Sequence, residues 1–128
     1  MAQRIKKLKK EKEYVPEEKI WKVIAQITNA LYACHRKKEG SRILHRDLKP
    51  GNVFFDSAGN VKLGDFGLSR MMGEESVYAY THVGTPYYMS PEQISDQKYN
   101  EKSDIWSAGC VVYEYAALRA PFEATNQM

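Results

Sequence analysis

The chain has few of the residues that mark secreted or membrane-spanning proteins. Its 128 residues include only two cysteines, Cys34 and Cys110. They are too few for the disulfide framework of a small secreted domain and too far apart for a CxxC pair. No apolar run approaches the ~20 residues that a bilayer-spanning helix needs, and no apolar signal segment opens the sequence. We therefore expect an intracellular protein with reduced, buried thiols.

Neither positive nor negative charge is in large excess. A net charge of +3 excludes a disordered polyelectrolyte, and 43% apolar residues can supply a core, so we expect one compact domain or a piece of one. Residues 1–12 nevertheless carry six lysines or arginines against Glu11 alone, which leaves −2 on the rest of the chain. Nucleic acid or an anionic membrane could bind such a leader. Without interleaved aromatic residues, however, it is more typical of a solvated helix or linker.

Apolar spacing predicts two long helices and one hairpin. The first helix runs from Pro16 towards Gly40, and its stripe recurs every three or four residues at Ile20, Ile24, Ile27, Leu31 and Cys34. The segment 105–118 is apolar nearly all round, which predicts a helix buried on most faces that needs more protein around it than this chain contains. Residues 53–55 and 61–63 flank a turn-forming segment and predict a hairpin, while 42–45 predicts a short strand. Residues 67–91 show little periodicity and predict a long irregular segment.

A polar loop between these elements carries the chemistry. Residues 45–52 read HRDLKPGN, and Asp65-Phe66-Gly67 follows the second hairpin strand. The first string resembles the catalytic loop of protein kinases, and the second resembles their metal-binding triplet. An isolated HRD or DFG triplet occurs by chance, whereas the two in this order and spacing are specific to protein kinases. The resemblance implies an α+β fold: the large, C-terminal lobe of a protein kinase, mainly helical with a small β-hairpin, and incomplete.

The resemblance also implies a role for each polar residue of the site. Asp47 would accept the proton of the substrate hydroxyl, as an ionised carboxylate in a fixed loop can. Asn52 and Asp65 offer the hard oxygen ligands that suit magnesium carried in on ATP. Lys49 would place a positive charge by the transferring phosphoryl group and accompanies serine/threonine specificity. Thr85 would lie near Asp47 and help to select a hydroxyl substrate.

Regulatory and supporting residues follow from the same resemblance. Arg46 has the planar fork that binds phosphate, which predicts phosphorylation of the activation segment at Thr81, with Ser76 as a second site. His35 and His82 have no motif support and are interpreted as ordinary structural histidines. Three residues are expected to support the catalytic loop and its surroundings: His45, Glu92 and Asp104.

Finer features resemble the NIMA-related kinases, close to their mitotic, centrosomal branch. Residues 83–92 resemble the end of a kinase activation segment, with Ser90 at the position where alanine is usual. Leu63-Gly64 and residues 100–107 fit the same branch. The resemblance runs from about Tyr14 to Phe122, which divides the chain into a basic leader (1–13) and a partial kinase domain (14–128). It implies protein substrates with Ser or Thr, activation by another kinase or by self-association, and a cell-cycle role. We expect the protein to lie in the cytoplasm, centrosome or nucleus, with no nucleic-acid or membrane partner.

Two parts of a complete kinase have no counterpart in the sequence. None of the eight glycines makes a GxGxxG spacing, and no VAIK-like lysine precedes the catalytic loop. We therefore expect a large-lobe fragment that lacks the small lobe and is nearly inactive alone, because positioning supplies much of the rate. One alternative is an inactive truncated product that docks on partners of the full enzyme as a binding module. The other is a small-molecule phosphotransferase, although such enzymes lack a segment like 84–92.

Overall fold

The computed structural model describes residues 1–36, 42–64, 70–71 and 86–123. In these residues none of the helices is long and apolar enough to cross a membrane. The elements, in chain order, are α1 (Ala2–Glu11), α2 (Glu17–His35), β1 (Ile43–Leu44), a 3₁₀ turn (Pro50–Asn52), β2 (Val53–Phe55), β3 (Val61–Leu63), β4 (Arg70–Met71), α3 (Pro91–Ile94) and α4 (Glu101–Ala117).

The predicted hairpin is confirmed. Strands β2 and β3 pair antiparallel with Val53 opposite Leu63. The Asp56 carboxylate shapes the turn by accepting hydrogen bonds from the backbone N–H groups of Ala58 and Asn60 at 3.0 and 2.8 Å. Gly59 takes φ +76°, a conformation that glycine adopts without a steric penalty. Strand β3 ends at Leu63, so only Gly64 separates the hairpin from Asp65.

A second pair of strands departs from the sequence-based prediction. The segment 67–91 was expected to be irregular, yet Arg70–Met71 forms strand β4, antiparallel to β1. Ile43 lies opposite Met71 and Leu44 opposite Arg70. The short strand predicted within 42–45 is confirmed as β1. Two residues carry no periodicity of their own, so β4 depends on the partner that the fold brings to it.

Helix α2 follows the predicted stripe. It begins after Pro16, and Glu17 and Glu18 lie in its first turn, where acidic side chains favour the helix dipole. Its buried residues are Val23, Ile27 and Leu31, spaced by four. The helix ends at His35, and the predicted end at Gly40 lies outside the described residues.

Helix α4 begins four residues before the predicted start at Ile105. Asn100 caps it: its Oδ1 accepts from the Lys102 N–H at 2.8 Å, and the Ser103 hydroxyl accepts from the Asn100 N–H at 3.3 Å. The prediction of burial on most faces was wrong for the described chain. The helix buries a single face, which contacts α2. Large apolar side chains remain partly exposed elsewhere on it: Ile105, Trp106 and Tyr113.

One core joins the helices to the hairpin. Ile27 of α2, Val53 of β2 and Tyr115 of α4 belong to the same buried cluster. The rings of Phe55 and Tyr115 lie 5.9 Å apart in this cluster. Helix α1 joins it through Ile5, which is 4% exposed. The predicted leader thus contains a packed helix, and the division of the chain at residue 13 stays a prediction.

Candidate active site

Three polar residues of the loop after β1 lie together. The Asn52 amide nitrogen donates to the Asp47 backbone carbonyl at 2.7 Å and to Asp47 Oδ2 at 3.1 Å. Lys49 Nζ lies 3.0 Å from the same Oδ2. Asn52 is almost fully buried at the 3₁₀ turn, whereas the Asp47 side chain retains 29% exposure. Asp47 is therefore held at the surface by one buried amide and one cation, with Oδ1 unpaired among the described residues.

The orientation of Asn52 leaves an oxygen for a cation. Both of its described side-chain hydrogen bonds come from the amide nitrogen, so Oδ1 remains as an acceptor. A hard carbonyl oxygen beside a carboxylate is the donor chemistry that magnesium prefers. Asp65, the second expected ligand, lies outside the described residues. Within the described part of the chain, no group of three His, Cys, Asp or Glu residues could hold a metal by itself.

His45 ties the catalytic loop to the end of the hairpin. It is fully buried, with Nε2 3.0 Å from the Gly64 carbonyl oxygen. Its Nδ1 accepts from the Asp47 N–H at 3.3 Å, so the tautomer with the proton on Nε2 satisfies both contacts. The Gly64 N–H in turn donates to the Asn52 carbonyl at 2.9 Å. Gly64, the residue before Asp65, is thus hydrogen-bonded through both its carbonyl and its N–H to the loop that carries Asp47.

Asp104 holds the catalytic loop from the first turn of α4. It is fully buried and accepts from the backbone N–H groups of His45 and Arg46 at 2.9 and 3.0 Å. The Tyr99 hydroxyl donates to Oδ1, and His35 Nε2 lies 2.7 Å from Oδ2. Four polar partners compensate the cost of burying this carboxylate. The hydrogen bond from the Arg46 N–H also restrains Arg46 at φ +69°, a strained conformation for a side-chain-bearing residue.

Sequence reasoning missed His35 and Tyr99 as parts of this network. His35 and Asp104 are 69 positions apart in the chain, and no motif connects them. One signal was available for His35: it follows Leu31 by four residues and so continues the buried stripe of α2 into its last turn. Nothing in the sequence pattern around Tyr99 points to its role.

Arg46 carries the one buried side-chain nitrogen or oxygen that has no hydrogen-bond partner among the described residues. This atom is Nε. Its guanidinium carbon lies 5.6 Å from the centroid of the Tyr99 ring, within the range of a cation–π contact. Its predicted phosphorylated partners, Thr81 and Ser76, lie outside the described residues, as does Thr85, which was predicted to lie near Asp47.

Residues 88–92 are bound to α4 by side-chain hydrogen bonds. Glu92 accepts from the Ser103 hydroxyl at 2.5 Å, which holds the pKa of its carboxyl below the usual range. Ser107 donates to the Tyr88 carbonyl at 2.7 Å, and the Tyr88 hydroxyl donates to Glu114 at 2.5 Å. Burial, with help from Glu114, raises the pKa of Tyr88. Glu92 therefore contacts the same helix that carries Asp104.

Comparison with known proteins identifies the class to which this loop and helix arrangement belongs. The family model described as "Protein kinase domain" matches residues 1–128, and the chain belongs to this family. Its relatives place it among the NIMA-related serine/threonine kinases. It is 58% identical over 127 residues to "Probable serine/threonine-protein kinase nek2" of Dictyostelium discoideum, across 99% of this chain and 30% of the relative.

Two further relatives are also similar to this chain. Mouse "Serine/threonine-protein kinase Nek2" is 56% identical over 128 residues, across 99% of this chain and 29% of the relative. "G2-specific protein kinase nimA" of Emericella nidulans is 41% identical over 147 residues, across 97% of this chain and 21% of the relative. The chain thus spans less than a third of each of these relatives, and it matches the kinase domain model along its whole length.

Proposed function

We propose that this chain is the catalytic-loop part of a serine/threonine protein kinase that transfers the γ-phosphoryl group of ATP to Ser or Thr hydroxyls of proteins. The observation that carries the proposal is the cluster of Asp47, Lys49 and Asn52, with one carboxylate oxygen contacted by an amide and an ammonium group. Phosphoryl transfer requires such positioning and charge neutralisation more than covalent chemistry. Membership of the family supports the same reaction.

Each residue of the cluster has a defined task in this proposal. Asp47 accepts the proton of the substrate hydroxyl at its unpaired Oδ1 and keeps its orientation through Oδ2. Lys49 places positive charge beside the oxygens of the phosphoryl group, and it is exposed enough to reach a ligand. Asn52 Oδ1 and Asp65 would hold magnesium, which would neutralise negative charge on the ATP phosphates. Thr85 helps to select the hydroxyl substrate.

Regulation by phosphorylation is part of the proposal. The buried Nε of Arg46 lacks a partner in the described chain, and a phosphate on Thr81 would supply a charged acceptor. Ser76 is proposed as a second site, modified by another kinase or by a second copy of this protein. Mass spectrometry of the active, full-length protein should find Thr81 phosphorylated, and an active form with unmodified Thr81 would contradict this assignment.

A cell-cycle role is proposed from the relatives, two of which bear the names nek2 and "G2-specific protein kinase nimA". We propose a cytoplasmic protein that reaches the centrosome or nucleus during division. Imaging of the tagged, full-length protein in dividing cells tests this placement. A distribution that does not change through the cycle would count against it.

A binding module without activity is the second candidate. The partly exposed Ile105, Trp106 and Tyr113 of α4 favour it, because an apolar face of this kind suits a protein partner. Magnesium-dependent ATP binding by the 128-residue chain, measured by calorimetry, separates the two candidates. Binding supports the kinase for the chain itself, whereas its absence supports the module.

The decisive test of the reaction is Asp47→Asn in the full-length protein. The amide cannot accept the hydroxyl proton, so kcat should fall by about 10²- to 10⁴-fold. Asp96→Asn is the matched control, because Asp96 is exposed and its φ of +55° is one that asparagine tolerates. Unchanged turnover of Asp47→Asn would overturn the proposed mechanism.

A further inference from the structure

Helix α1 presents a dense positive surface beside the catalytic loop. Lys6, Lys7, Lys9 and Lys10 are all exposed, and we call these four side chains the α1 basic face. At 100° per residue, Lys7 and Lys10 lie about 160° and 140° around the helix from the buried Ile5. Lys6 lies about 100° from Ile5, and Lys9 about 40°. All four side chains are exposed, so the helix concentrates four positive charges on one short stretch of the surface.

The basic face is fixed in place by the opposite side of the helix. Ile5 is buried in the common core, and Leu8 packs against the same cluster. The Arg4 guanidinium lies over the Phe55 ring, 5.7 Å from its centroid. Helix α1 also packs against the 3₁₀ turn Pro50–Asn52. Helix α1 therefore lies next to the turn whose Asn52 orients Asp47.

The charge on this helix is poorly compensated within the described chain. Its first turn contains no acidic residue, and Glu11 is paired with Lys7 at 3.8 Å. No ion pair joins Lys6, Lys9 or Lys10 to a described carboxylate. Lysines three or four residues apart repel each other and weaken a helix. An anionic ligand would relieve this repulsion, which gives it a favourable interaction with the helix as it is built.

We infer that the α1 basic face is a docking surface for an acidic segment of the protein substrate, outside the residues around the accepting hydroxyl. This inference rests on the proposed function, because the bound segment is a substrate only if the protein is a kinase. Binding of an acidic segment to the lysines does not itself require catalysis. Two other anionic partners fit less well. A membrane-surface helix inserts its apolar edge, yet Ile5 and Leu8 are packed in the core. Nucleic-acid surfaces interleave aromatic side chains with the cations, and α1 has none.

The test measures binding and phosphorylation separately. A fluorescent serine peptide with a distal run of about six glutamates is compared with the same peptide carrying glutamines. The full-length protein is assayed by anisotropy without ATP, and by initial rates with ATP. The triple variant Lys6→Gln/Lys7→Gln/Lys10→Gln is set against Lys22→Gln/Lys98→Gln/Lys102→Gln, which removes the same charge from exposed positions elsewhere. Glutamine is a good helix former, so α1 should persist.

We expect the α1 triple variant to bind the acidic peptide about tenfold more weakly, with a raised KM and unchanged kcat. The control variant and the glutamine peptide should show no comparable change. Lysine-dependent binding without phosphorylation would support the docking surface and count against the proposed reaction. Equal loss in both variants, or phosphorylation independent of the α1 lysines, would overturn the docking surface alone. Tighter lysine-dependent binding to single-stranded RNA or to phosphatidylserine vesicles than to the peptide would also overturn it.

Discussion

Asp104 is the residue on which the backbone of the catalytic loop depends most directly. Its two oxygens accept from two backbone N–H groups of the loop and contact Tyr99 and His35. In Asp104→Asn the side-chain amide nitrogen would face the N–H and O–H donors that now bind the carboxylate. Arg46 would also lose a hydrogen bond that restrains its backbone. We expect the free energy of unfolding to fall by about 3 kcal/mol, measured by urea titration. The exposed Asp96→Asn should change it by less than about 0.5 kcal/mol, and equal midpoints for the two variants would contradict this view.

His35 is expected to matter through the same carboxylate. His35→Phe keeps an aromatic ring of similar breadth but removes the contact with Asp104 Oδ2, which is 2.7 Å long. The loss should cost about 1–3 kcal/mol of unfolding free energy, because a buried acceptor loses one partner. His35→Gln retains an amide donor at this position and is the matched variant. Urea midpoints should rank wild type, then Gln, then Phe, and identical values for the two variants would show that the contact contributes nothing.

At the scale of elements, the sequence predicted those with a repeating apolar pattern. It did not predict the polar ends of elements or the contacts between distant parts of the chain. The four-residue spacing of Val23, Ile27 and Leu31 was sufficient for α2. The apolar run of α4 could not reveal its first turn, because that turn is polar and is set by Asn100. Strand β4 and the contact between His35 and Asp104 depend on residues that only the tertiary fold brings together. The grouping of Asp47, Lys49 and Asn52 was predictable because it is local to one loop.

The cap of α4 links an element boundary to the site. Asn100→Ala removes the acceptor of the Lys102 N–H, and caps of this type contribute about 1 kcal/mol. The first turn that it holds also carries Asp104, so we expect a lower melting temperature and weaker peptide phosphorylation by the full-length protein. Asn29→Ala is the control, because Asn29 is exposed in the interior of α2, where alanine is the better helix former. If both variants melt together with wild type, the cap is dispensable.

At the scale of the whole molecule, the site is where separate elements meet rather than a property of one segment. Asp104 of α4 bonds to the loop after β1 and to the last turn of α2. His45 extends the same connection to the end of β3 through the Gly64 carbonyl. A shift of α4 relative to α2 would therefore move the backbone around Asp47. Stability and activity should consequently change together in variants of this network, unlike variants of the α1 basic face.

Acid should destabilise the molecule through three carboxyls. Hydrogen bonds lower the pKa of all three carboxyls. Glu92 accepts from the Ser103 hydroxyl, the Glu101 carboxylate accepts from the Glu101 backbone N–H, and Asp56 accepts from the Asn60 N–H. A lowered folded pKa stabilises the protein above the unfolded value, which is 4.5 for Glu and 3.8 for Asp, and this stability is lost as pH falls through the folded pKa. Urea midpoints of the chain should therefore decline steadily below about pH 4.5.

The variant Glu92→Gln/Glu101→Gln/Asp56→Asn should flatten that decline, because its amides do not titrate. It should also be less stable than wild type at pH 6, where the ionised carboxylates accept the bonds from Ser103 and Asn60. Glu13→Gln, at an exposed position after α1, should keep the wild-type slope. A triple variant whose midpoint still falls with the wild-type slope would place the acid sensitivity in other groups. The polar contacts of residues 92, 101 and 56 would then stabilise the fold equally in both protonation states.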